Sequence, residues 1–144
     1  MDVFVFDLDV HTLIATMNQA TRWITLTAGL LGFTGVAFGA FGAHALKDTL
    51  TARGTTSLWQ TAGLYHLLHS VALVALSSGA STLRNVNLIA LCWTVGVVLF
   101  SGSLYWLALG GPTALGPVTP LGGLALLTGW AAVAWQAWKS KATA

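Results

Sequence analysis

The chain has 144 residues, 56% of them hydrophobic and 7% charged, with six Lys or Arg against four Asp and no Glu. That balance excludes a soluble globular domain, and a net charge of +2 is too small to point to nucleic acid as a partner. It describes an integral membrane protein of one domain, whose first partner is the lipid bilayer.

Residues 1–22 precede the first hydrophobic span as an N-terminal tail. Within it, "VFVFDLDVH" alternates and sets Asp7, Asp9 and His11 on one side of an extended segment, with Phe6, Leu8 and Val10 on the other. Three donors on a tail are poorly preorganised for a metal, so the expectation is a segment lying on the membrane or on a partner. Three aspartates among the first ten residues are unlike the basic start of a secretory signal, so the first helix is expected to stay in the mature protein. Met17, opening "MNQATRWITL", is an alternative start.

Crossing a hydrocarbon layer of about 30 Å takes roughly 20 helical residues. Segments 23–44, 58–78, 86–109 and 120–138 meet that length, and together they make residues 23–138 an all-α, up-down four-helix bundle, followed by a basic tail at 139–144. Before the second span, Ser57 and Gln60 read as a capping box. Before the fourth, Thr119 and Pro120 read as N-cap and first helical residue. Trp23, Trp59, Trp106, Trp135 and Trp138 fall near span ends, as an interfacial aromatic belt requires, while Trp93 and Trp130 lie deeper and read as packing residues.

Three connections join the spans. "ALKDTLTARG" at 45–54 predicts a short interfacial helix closed by Gly54 in a left-handed cap, with Leu46 and Leu50 one turn apart. "GASTLR" at 79–84 predicts a tight turn, and "GGPTALGP" at 110–117 a rigid uncharged loop. With both termini on one side, that side holds Arg22, Arg84, Lys139 and Lys141 against Lys47 and Arg53 on the other, which predicts cytoplasmic termini.

Small residues mark two packing seams. In the first span Ala28, Gly32, Gly35, Gly39 and Gly42 recur every 3.5 residues, and in the fourth Gly122, Ala125, Gly129 and Ala132 do the same. Lipid removes most of the hydrophobic drive between helices, so small residues that allow close approach predict that these two spans meet seam to seam. A flat cofactor lying against the glycines is the alternative.

Chemistry, if any, rests on the second span. Trp59, Ala62, Gly63, His66, His69, Ser70, Leu73 and Ser77 form one helical stripe opposite Leu64, Leu67, Leu68, Val71 and Val74, which turns the histidines inward. A buried imidazole needs a partner. The first reading is structural, with His66 and His69 bonded across helices to Thr94, Ser101, Ser103 or Tyr105. The second is ligation, in which His44, His66 or His69 holds a haem, a chlorophyll-type pigment or a metal, although no Cys or Glu is at hand to finish a zinc site. The third is a quinone or proton site using Tyr65 or Tyr105, and the fourth is transport. No nucleophile, base and oxyanion donors occur together, which argues against hydrolytic chemistry. Cys92, the single cysteine, lies in an apolar run and is expected to be inert.

Three fragments, "GVAFGAFGAHAL", "TAGLYHLLHSVAL" and "GSLYWLAL...VTPLGGLALLTGW", resemble the YgdD-like small inner-membrane protein family, catalogued as domain of unknown function 423, which has a eukaryotic transmembrane relative. The likeness runs over residues 20–138, whereas residues 1–16 depart from it. It implies four membrane helices and places His44, Tyr65, His66, His69, Gly102, Ser103, Tyr105, Pro120, Gly122, Gly123 and Trp130 in shared motifs. No activity comes with it. The resulting expectation is a non-enzymatic accessory or assembly subunit without cofactor, docked in the inner membrane on a larger membrane complex or on its own copies.

Overall fold

The computed structural model describes residues 19–80 and 83–141, and among these the chain is helical with no strand. The readings placed on residues 1–16 and on Met17 lie outside the described residues, as do positions 81 and 82 of the turn at 79–84. The elements are α1 (Gln19–Ala43), α2 (Lys47–Arg53), α3 (Thr56–Ser78), α4 (Val86–Ala108), a 3-10 turn (Thr113–Leu115) and α5 (Val118–Lys141). Of these α1, α3, α4 and α5 are long and apolar enough to cross a membrane. The short α2 is closed by Gly54 at φ 67°, a left-handed cap that glycine adopts without steric cost, and Leu50 on its inner face is buried.

Short connections make consecutive spans antiparallel neighbours, and the cross-helix pairs record it. Gly42 lies on Trp59 and Gly35 on Leu67; Gly96 lies on Leu126 and Gly122 on Phe100. α1 packs along α3, α3 along α4 and α4 along α5, with a lighter diagonal contact between α1 and α4. The first and fourth spans do not pack along each other, so the expected seam-to-seam contact is corrected. Periodicity shows which face is small but not what fills it. Here Gly42 and Gly129 receive large side chains of the adjacent helix, Trp59 and Trp93, while Gly122 lies against the Phe100 backbone; any Cβ at these three would collide. Gly39 has open space instead.

The core lies in two parts. One joins Ile24, Ala28, Leu73, Ile89, Trp93, Val97 and Leu126 across all four spans; the other joins Leu50, Trp59, Ala62, Leu104, Tyr105 and Ala108 beneath α2. Trp59 therefore belongs to the core, being 6% exposed, and not to the interfacial belt expected for it. α2 folds over this end of the bundle, and the Trp59 indole donates to the Phe38 carbonyl at 2.9 Å. Trp106, Trp135 and Trp138 are exposed, as belt residues are.

Two predicted caps form differently. α3 begins at Thr56 with no side-chain cap, and the preceding Thr55 hydroxyl donates to the Ala108 carbonyl at 2.8 Å, tying the loop to α4 rather than closing a box with Ser57 and Gln60. α5 begins at Val118, one residue before Thr119, and Pro120 still lies in the first turn, where its missing N–H costs nothing.

Candidate functional site

The inward stripe of α3 carries Trp59, Ala62, His66, His69, Ser70, Leu73 and Ser77, all buried. The two histidines sit less than one turn apart, yet they enter different surroundings.

His69 is enclosed by three rings. Trp93 and Trp130 each meet it edge-on at 6.1 Å and pack on each other at 4.7 Å, while Tyr65 stacks at 6.1 Å. Its Nδ1 lies 2.8 Å from the Tyr65 carbonyl, which can only accept, so Nδ1 carries the proton. Nε2 then holds the lone pair, and the Trp130 indole N–H donates to it at 3.1 Å. Both ring nitrogens are used, and the imidazole is a neutral, oriented bridge from α3 to α5.

His66 is held more loosely. The Thr34 hydroxyl donates to the Leu30 carbonyl at 2.9 Å, so its oxygen accepts from His66 Nε2, 3.3 Å away. Nδ1 keeps the lone pair and faces the Tyr105 hydroxyl at 3.5 Å, the outer limit for such a bond. Tyr105 is fixed by packing instead, with Trp59 at 4.6 Å and Phe38 at 4.9 Å. Aromatic pairs of this kind add about 0.5–1.5 kcal/mol beyond buried area.

Of the expected polar partners, only Tyr105 reaches a histidine. Ser103 donates to the Phe100 carbonyl at 3.0 Å and meets Thr119 at 2.7 Å, joining α4 to α5. Thr94 turns back onto the Ala90 carbonyl. Ser101 is 1% exposed and its hydroxyl has no partner, a condition it shares with the Trp93 indole N–H. His44 stands apart from both histidines, exposed in the turn after α1 beside Ala40 and Phe41. Among the described residues no three His, Cys, Asp or Glu side chains come together as metal donors.

Thr34, Phe38 and Trp130 complete the site and were not foreseen in it. Thr34 could have been found by the argument that exposed the histidines, since a hydroxyl within a span also needs a partner. Trp130 was read as packing, and its N–H is what closes His69.

Next to His66 a crevice of about 200 Å³ opens between α1 and α4, lined mainly by Leu31, Phe38, Val97 and Val98, with the exposed Gly102 at its edge.

Membrane-spanning helices around hydrogen-bonded imidazoles and indoles define a small multi-span membrane protein. The chain belongs to the family described as protein of unknown function (DUF423), whose pattern matches residues 38–123. It is 40% identical over 124 residues to a UPF0382 membrane protein of Haemophilus influenzae, covering 83% of this chain and 96% of that one. It is 39% identical over 119 residues to the UPF0382 inner membrane protein YgdD of Escherichia coli, covering 78% and 87%. A UPF0382 membrane protein of Staphylococcus epidermidis is 42% identical over 97 residues, covering 66% and 78%. No solved structure matches the chain significantly.

Proposed function

We propose that the protein is a non-catalytic accessory or assembly subunit of the cytoplasmic membrane, with both termini on the cytoplasmic side, docking on a larger membrane complex or on its own copies. The observation that carries this reading is the hydrogen-bond accounting at His69. Its proton and its lone pair are both spent on the fold, so ligation of a haem, a pigment or a metal there would first have to break the Trp130 bond. What the molecule offers its surroundings is helix surface. On α1, Gly29 and Gly39 are exposed, with open space where a side chain would stand, near the exposed Leu26, Leu30, Phe33 and Val36. Small residues on a membrane helix let a second backbone approach closely. The excess of Arg22, Arg84, Lys139 and Lys141 over Lys47 and Arg53 supports the orientation, and the inner-membrane name of the Escherichia coli relative supports the compartment.

The test is photo-crosslinking from position 33 in native membranes, followed by sizing in mild detergent. A discrete adduct of fixed mass is expected, lost in Gly39→Leu although the isolated variant melts like wild type. Crosslinks to lipid alone, from a chain that sizes as a monomer, would contradict the reading.

A further inference from the structure

We infer that the groove between α1 and α4 binds one phospholipid with a negatively charged headgroup, its phosphate held at the rim by Arg22 and Arg84 and an acyl chain lying in the apolar crevice below. This goes beyond the accessory role and does not depend on it. The Trp23 indole donates to the Asn87 side chain at 3.0 Å, which sets the starts of α1 and α4 side by side. Arg22 is the neighbour of Trp23 and Arg84 precedes Asn87 by three residues, so two exposed guanidinium groups stand at the head of one groove. α4 also opens at Asn85 with no side-chain cap, and its first N–H groups add to the positive end. Among the described residues the one acidic side chain is Asp48, on α2 at the other end of the bundle. No described carboxylate answers the two arginines.

Below the rim the groove turns apolar. From Asn87 the face of α4 turned to α1 continues at helical spacing through Leu91, Val95 and Val98, all exposed, to Gly102. Leu31 and Phe38 wall the α1 side, and the crevice of about 200 Å³ lies at the lower end. At about 1.5 Å per residue the rise from Asn87 to Val98 is about 16 Å, and half of a hydrocarbon layer of about 30 Å is about 15 Å. The crevice therefore lies at the depth where a chain anchored at the rim ends. α1 meets α4 only lightly, so the groove opens sideways to the bilayer, and nothing stands within 4 Å of where a Cβ of Gly102 would be. An acyl chain asks these walls for no hydrogen bond. The headgroup follows from the rim: guanidinium pairs with phosphate through parallel N–H bonds, whereas a phosphoethanolamine brings an ammonium that unanswered arginines repel. At the opposite end the charges are engaged, since Lys47 and Arg53 share α2 with Asp48 and the Arg53 guanidinium lies against Gly110.

The experiment uses the full chain, stripped of lipid in a maltoside detergent. It is titrated with palmitoyl-oleoyl phosphatidylglycerol or with the phosphatidylethanolamine of the same chains, each followed by native mass spectrometry. Saturable binding of one phosphatidylglycerol per chain is expected, tenfold or more tighter than phosphatidylethanolamine. Combining Arg22→Gln with Arg84→Gln should erase the preference, while Lys47→Gln should keep it. Gly102→Leu, which fills the lower end of the groove, should weaken both lipids threefold or more. All four positions are exposed, and thermal midpoints check that each variant folds. Equal affinity for the two lipids, the result expected if the aspartates of residues 1–18 neutralise the rim, overturns the proposal. So does a preference that survives the double arginine variant or falls as far in Lys47→Gln, and so does binding unchanged in Gly102→Leu.

Discussion

The surroundings of His69 and His66 differ as a finished joint differs from an open one, although the residues are three apart on one helix face. At His69 each nitrogen has a short bond, three aromatic rings close the space, and the Trp93 ring lies on Gly129, its own N–H unpaired. At His66 the bonds lengthen, Ser101 goes unpaired and the bundle parts toward the lipid. The cause is helix order. α5 packs along α4 and carries Trp130 over His69, whereas α1 meets α4 only on the diagonal and leaves a gap beside His66. One histidine is therefore clamped by an indole and a carbonyl, and the other is held by two longer bonds.

The largest effect should come from forcing apart the helices that close the first region. Gly122→Leu drives a side chain into the Phe100 backbone, which cannot swing aside, and overpacking of this kind costs about 1–3 kcal/mol or more. Gly39→Leu enters open space and should melt within error of wild type in detergent. Equal damage from both would show that α4 and α5 are not in backbone contact at Gly122.

Replacing the imidazoles gives the next contrast. His69→Asn can keep the bond to Tyr65 but cannot reach Trp130, so it loses one hydrogen bond, worth about 0.6 kcal/mol on average in a membrane bundle, together with packed ring volume. A loss of roughly 1–2 kcal/mol is expected once the cavity left by the ring is included. His66→Gln and Tyr105→Phe remove long bonds and should each cost less than about 0.6 kcal/mol. Thermal midpoints of the three variants rank them directly, and a midpoint for His66→Gln below that of His69→Asn would reverse the comparison.

Ser101→Ala should have the smallest effect and the opposite sign. Removing an unpaired buried hydroxyl is neutral or stabilising by up to about 1 kcal/mol in the ligand-free protein. A clear destabilisation would mean that the hydroxyl already has a partner within the fold.

Much of this was legible in the residues. The span lengths, the left-handed Gly54 and the inward stripe of α3 follow from hydropathy, turn chemistry and a 3.6-residue period, each a local property. Leu64, Leu68, Val71 and Val74 are indeed exposed opposite the buried stripe. Partnership was not legible, because it depends on which helices are adjacent. Periodicity gave α1 a small face but could not say that Trp59 of α3, rather than another glycine, would fill it. It likewise gave His69 an inward direction without naming Trp130, 61 residues away, as its donor. Trp59 went astray for a related reason: nearness to a span end suggests an interface, and only the fold of α2 shows that this end is covered.

The central claim is that His69 is closed and His66 is open, and ring-nitrogen NMR of histidine-labelled protein in bilayers tests it most directly. His69 should show a protonated Nδ1 and a hydrogen-bonded, unprotonated Nε2; His66 should show the opposite tautomer. A protonated Nε2 at His69, or the same tautomer at both histidines, would contradict the account.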